Sequence, residues 1–131
     1  MKMWLVGFTA SVVALAVLDG IWLGLIAANF YKSQFGPLLR ERPIWLIAAL
    51  FYLVHAAGIA TFALPQAQGW GTALLFGALF GFCTYAAYDL TNLATLRGWP
   101  SSVAAVDLAW GSVASAVVAL AAWAAQRQVF P

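Results

Sequence analysis

The chain has 131 residues, 65% of them hydrophobic and only 8% charged, with a formal charge of +2. Soluble domains carry about a quarter charged residues, so this composition excludes an ordinary water-exposed fold and fits a chain that crosses a lipid bilayer several times. The small net charge gives no support to nucleic-acid binding, and a single cysteine, Cys83, excludes an intrachain disulfide.

The first predicted span runs over residues 4–29. Lys2 before an apolar run with Ala14-Leu15-Ala16 imitates a signal peptide, but the run is long enough to read as an uncleaved membrane helix. On a continuous helix Asp19, Trp22, Ile26 and Asn29 share one face. Gly20 and Gly24 form a small-xxx-small pair of the kind that lets helices approach. A loop over residues 30–43 follows, with Lys32, Arg40, Glu41 and Arg42 and a Gly36-Pro37 turn signal.

The second span is predicted over 44–64. Pro43 suits its first turn and Pro65 ends it. Tyr52 and His55 lie one turn apart near its middle. The third span, 71–96, contains Gly77 and Gly81 and the stretch Tyr85 to Leu96, where Tyr85, Tyr88, Asp89 and Asn92 stand inside an apolar run. Tyr85, Asp89 and Asn92 fall at i, i+4 and i+7, hence on one helical face. Residues 97–102 form the third loop, Ser101 or Ser102 caps the last span, and that span covers 103–125 with Asp107 and Trp110 near its start. The expected architecture is one all-α domain over 1–131, a polytopic transmembrane four-helix bundle.

An unpaired polar group in hydrocarbon costs several kcal/mol, so intramembrane acids are functional-site candidates by default. At 1.5 Å rise per residue, Asp19 lies roughly 15 Å from the loop-one end of its helix, Asp89 roughly 11 Å and Asp107 roughly 8 Å from the loop-three end, and His55 roughly 17 Å deep. The three acids therefore occupy one half of the bilayer and are expected to converge. Asp19 is level with Trp110, and Asp107 with Trp22, so each indole N–H is placed to donate to the carboxylate of the other helix. His55 alone reads first as a satisfied core residue, and its level close to Asp19 raises the prospect of a His–Asp pair. Tyr52 reads equally well as a packed aromatic with its hydroxyl bonded.

The candidate ligand- or proton-binding set is Asp19, Trp22, Tyr52, His55, Tyr85, Tyr88, Asp89, Asn92, Asp107 and Trp110. No catalytic residue is assigned. Phosphate loops, nucleophile elbows and zinc-binding HExxH helices are absent. A three-Asp hard-cation site is conceivable, but no dense acidic motif supports it, and no metal is expected. No cofactor is expected either: one histidine excludes bis-His haem, and Lys2 and Lys32 sit too near segment ends for a retinal Schiff base.

Three functions fit. The first is a transport-like module that binds a small ligand, cation or proton at the carboxylate-aromatic site. The second is a membrane enzyme acting on a lipid or isoprenoid through Asp/Tyr acid–base chemistry. The third is a noncatalytic membrane partner whose Asp–Trp pairs are structural clamps. The bilayer is the obligatory partner; a homodimer through a glycine-lined face such as Gly77/Gly81 is expected for the first function. Lys32, Arg40, Arg42 and Arg97 lie on one side of the four spans, against Lys2 and Arg127 on the other. That bias predicts cytoplasmic loops at 30–43 and 97–102.

The segments LDGIWL, FYLVHAAGIATFALP, GALFGFCTYAAYDLTNLATLRGWP and VDLAWG, one per span, resemble a bacterial family of small integral membrane proteins, domain of unknown function 2177. YDLTNLATLRGWP is the specific block. The resemblance implies a four-span protein of the inner membrane and carries no activity with it.

Overall fold

The chain folds into helices with no strand, in a computed structural model that describes residues 1–131. Helix α1 spans Lys2–Ile21 and runs on into a π-helical turn, Trp22–Ile26. The short helix α2 is Ala28–Phe35, and α3 is Trp45–Gly58, prolonged by a second π-helical turn at Ile59–Ala63. Helices α4, Trp70–Thr95, and α5, Ser101–Val129, complete the chain. Four runs are long and apolar enough to cross a membrane: Lys2–Ile26, Trp45–Gln66, Trp70–Thr95 and Ser101–Val129. The shortest has 22 residues, roughly 33 Å of helix, which matches the hydrocarbon thickness of a bilayer. The protein is an all-α, polytopic membrane protein.

Only 24 of 131 residues are buried, so most apolar side chains face outward. Leu25, Leu46 and Phe62 are among the exposed ones. In water this surface would aggregate; in lipid it is the solvated face. What holds the helices together is accordingly close packing of small residues. On α4 the buried positions are Ala73, Gly77, Gly81 and Asp89, spaced by multiples of four, with half-buried Tyr85 between the last two. They meet Gly111, Ser115 and Ala119 on the matching stripe of α5. A Cβ on Gly77 would stand 2.6 Å from both Ala119 Cβ and the Ser115 carbonyl oxygen, so glycine is what allows these backbones to approach.

That contact corrects one expectation. Gly77 and Gly81 are consumed inside the chain by α5 and offer no face to a second copy. By contrast, nothing lies within 4 Å of the position a Cβ would take on Gly20 or Gly24.

The first span also departs from a continuous helix. The Ala27 amide bonds the Trp22 carbonyl at 2.7 Å, closing the wide turn, and the helix restarts at Ala28. An inserted wide turn shifts the register that follows it. Ile26 and Asn29 are therefore exposed rather than aligned with Asp19. Residues 28–35, expected in the main to be loop, form α2, which ends at Gly36. Gly36 has φ +50° and Gly98, after α4, has φ +80°, values glycine adopts without the penalty a Cβ brings. The second wide turn precedes Pro65, whose missing N–H and ring disrupt the helical ladder there.

The bundle is closed in one half and open in the other. Leu15, Ile59, Ala63, Leu64, Val118 and Ala122 form the apolar core, on the side away from loop one. Gln126 Nε2 donates to the Met3 carbonyl at 2.9 Å and Trp4 Nε1 to Thr61 Oγ1 at 3.0 Å, tying that end further. In the loop-one half, Trp45, Leu46, Ile47 and Leu50 of α3 are each more than half exposed.

Candidate functional site

The open half contains a cavity of about 860 Å³. Its walls include eight of the ten candidate residues: Asp19 and Trp22 from the first span, Tyr52 and His55 from α3, Tyr85 and Tyr88 from α4, Asp107 and Trp110 from α5. Asp89 and Asn92 do not line it.

Asp19 closes the buried i, i+4 line of α1, Gly7, Ser11, Leu15 and Asp19, which directs its carboxylate toward α5. Trp110 Nε1 donates to Asp19 Oδ1 at 2.9 Å, and the Tyr52 hydroxyl sits beside the same carboxylate. The reciprocal pair is not direct. Trp22 Nε1 donates to Tyr31 Oη at 3.2 Å, and the Tyr31 hydroxyl donates to Asp107 Oδ1. The short helix α2 supplies that intermediary, and its existence depends on the wide turn that folds residues 28–35 back over the bundle. Burial first, and then the bond to Asp107, raise the Tyr31 phenol above its ordinary range, so it remains a donor at neutral pH. The indoles of Trp22 and Trp110 stack at 4.3 Å with planes 6° apart, which fixes both donors.

The Oδ1 atoms of Asp19 and Asp107 are thus each held by an aromatic donor. Tyr52 stands as a second donor beside Asp19, and both acids line the cavity. A ligand there meets two carboxylates from different helices among the faces and edges of Trp22, Tyr31, Tyr52, Tyr85 and Trp110.

His55 does not pair with Asp19. Its Nε2 and Ser115 Oγ share a hydrogen bond of 2.9 Å, with Phe51, Phe80 and Tyr85 packed around the imidazole. This joins α3 to α5 at the foot of the cavity. The Tyr85 ring lies over Gly111, where any Cβ would overlap it.

Asp89 lies on the stripe of α4 that faces α5, and it is fully buried. Its carboxylate makes no hydrogen bond of regular geometry, and the likewise buried Trp99 indole N–H stands beside it as the donor at hand. Trp99 packs edge-on to Tyr88 at 5.6 Å and to Phe35 at 5.2 Å. Asn92 is half-buried. The three acids therefore divide into a pair at the cavity and a third behind it.

Sequence reasoning missed Tyr31, Ser115 and the basic residues Lys32 and Arg40 that also line the cavity. Tyr31 and Phe35 stand at i, i+4 and stack at 6.2 Å; that spacing was the available sign of a helix where a loop was expected. Ser115 has no comparable signal beyond a hydroxyl in an apolar run.

Residues 4–124 match the family described as Predicted membrane protein (DUF2177). The chain belongs to that family. Searches among curated proteins and among solved structures found no match. What this DUF2177 protein does must therefore be argued from the cavity.

Proposed function

We propose that this DUF2177 protein binds a small organic cation, such as an ammonium ion, between Asp19 and Asp107, as the binding step of a transport-like function in a bacterial inner membrane. The observation that carries the reading is the pair of carboxylates, each fixed on one oxygen by an aromatic donor beside a roomy aromatic cavity. At an effective dielectric of about 20, a unit cation about 4 Å from one carboxylate gains about 4 kcal/mol, and each well-placed aromatic face adds about 0.5–2 kcal/mol. Those terms offset the desolvation an ammonium ion undergoes on entering.

The competing reading is a structural clamp, favoured by the Trp110–Asp19 bond and the Trp22–Tyr31–Asp107 relay. It accounts for the Oδ1 atoms and leaves the cavity beside them without a purpose. The acid–base reading loses Asp89, which does not line the cavity, and keeps Asp19 as its acid or base.

Calorimetric titration of the protein in nanodiscs tests the proposal. Tetramethylammonium should bind saturably, and the neutral isostere neopentane-like tert-butanol should not. Asp19→Asn and Asp107→Asn retain an acceptor for their aromatic donors, so both should fold and each should weaken binding about tenfold or more. Equal binding of the neutral compound, or unchanged affinity in both variants, refutes it.

A further inference from the structure

Resting on that reading, we infer that the ligand is an amphiphile, an ammonium head with a hydrocarbon chain, and that it reaches Asp19 and Asp107 sideways from the bilayer past α3. An ammonium head alone uses little of about 860 Å³, and 14 of the 21 lining residues are hydrophobic, so most of the site is built for an apolar body. Both acids, with Trp22 and Trp110, come from the first and last spans, while the loop-one end of the second span contributes only apolar residues, Ile47, Ala48 and Phe51, preceded by Ile44, with Tyr52 and His55 deeper on it.

The cavity is exposed on several sides, at Leu23 (48%) and Tyr88 (55%) as well as along the apolar wall. Ile44 is 50%, Ile47 59% and Phe51 42% exposed while lining it. Ile47 and Phe51 stand in the loop-one part of the membrane-crossing run Trp45–Gln66, and Ile44 just before it, so the exposed surface of Ile47 and Phe51 faces the bilayer. The approach past loop one is flanked by Lys32 and Arg40, which repel a cation arriving through water. The route along α3 carries no charge. A head that pairs with two carboxylates while its chain lies along Ile47 and Phe51 satisfies both walls at once.

The test compares tetramethylammonium with octyltrimethylammonium by calorimetry in nanodiscs, in wild type and in two variants. Ile47→Trp fills the wall along which the chain lies, and the exposure of Ile47 leaves room for the indole without disturbing the core. Leu46→Trp adds the same indole to a residue that is 78% exposed and outside the cavity wall. Each ligand is compared only with itself in the same bilayer, so partitioning cancels. Ile47→Trp should weaken octyltrimethylammonium about tenfold and leave tetramethylammonium within about twofold, with Leu46→Trp changing neither. Unchanged octyltrimethylammonium affinity in Ile47→Trp, or an equal loss for both ligands, overturns the seat of the chain along α3, and with it the side entrance, while leaving the cation site standing. Failure of both ligands to bind wild type overturns the cation site and this inference together.

Discussion

Replacing Tyr31 by Phe isolates the polar link between α2 and the bundle. The ring remains, and with it the stack on Phe35 at 6.2 Å and the edge contact with Phe30 at 5.3 Å. What disappears is one hydroxyl that donates to Asp107 and accepts from Trp22. Net contributions are about 0.5–1.5 kcal/mol for a neutral hydrogen bond and about 1.5–3 when one partner is charged, while measured values within membranes average about 0.6 and reach about 1.7. Two bonds at the edge of the bilayer, where water replaces part of each, should together be worth about 1–3 kcal/mol. Hydrogen exchange of the α2 amides in nanodiscs reads this as local opening, roughly 5- to 150-fold faster in Tyr31→Phe. The remaining ties of α2, the Ser102–Gln34 hydrogen bond and the Phe35–Trp99 edge contact, keep the helix docked on average. Adding Asp107→Ala, which removes the acceptor, should cost less than the sum of the two single changes, because the same bond is lost only once. Exchange altered by less than about twofold, or full additivity, would show that the relay does not hold α2 and that the geometry assigned to Asp107 is wrong.

Asp89→Asn should leave thermal stability in detergent unchanged or higher and leave tetramethylammonium binding unaltered, since the amide still offers an oxygen to Trp99 and avoids burying a carboxylate; a large loss of either would give Asp89 a role this arrangement does not. Gly81→Ala places a Cβ 2.5 Å from Ser115 Oγ and against the Gly111 carbonyl, so denaturant titration should register a loss of about 1–3 kcal/mol, whereas Gly20→Ala, which meets nothing, should be neutral or slightly stabilising. Membrane-impermeant thiol labelling in a Cys83→Ser background should modify a cysteine at Gln66 and not one at Gln34 from outside intact cells; the reverse pattern inverts the orientation drawn from the basic loops.

The spans were legible because a bilayer reads composition directly: apolar runs of this length have few other stable uses, and Pro43, Pro65 and Pro100 punctuate them. The Asp19–Trp110 contact was legible from depth alone, since antiparallel helices align residues by rise per residue. Depth could not show rotation about the helix axis. Asp89 and Asp107 share a level, yet the close α4–α5 packing turns Asp89 into the helix interface and leaves Asp107 at the cavity. The wide turn at Trp22–Ile26 was illegible for a different reason. No proline marks it, and one extra residue in a turn leaves no imprint on hydropathy while moving everything after it, including Tyr31. His55 is the buried, hydrogen-bonded residue that its place in an apolar run suggests, but its partner Ser115, and not Asp19, lies on the buried stripe of α5 that comes into view only once α4 and α5 are packed.

The most direct test is a distance from a bound cation to the carboxylates, by magic-angle-spinning NMR of protein carrying 13C at aspartate side chains and 15N-tetramethylammonium in lipid. Assignment uses the three single Asp→Asn variants. The carboxyl carbons of Asp19 and Asp107 should both be dephased by the nitrogen, placing it within about 6 Å of each, the range over which aromatic faces also hold an ammonium ion. The Asp89 carboxyl carbon should show no such contact. Dephasing confined to Asp89, or absent from Asp19 and Asp107 at saturating cation, would contradict a cation site between those two residues.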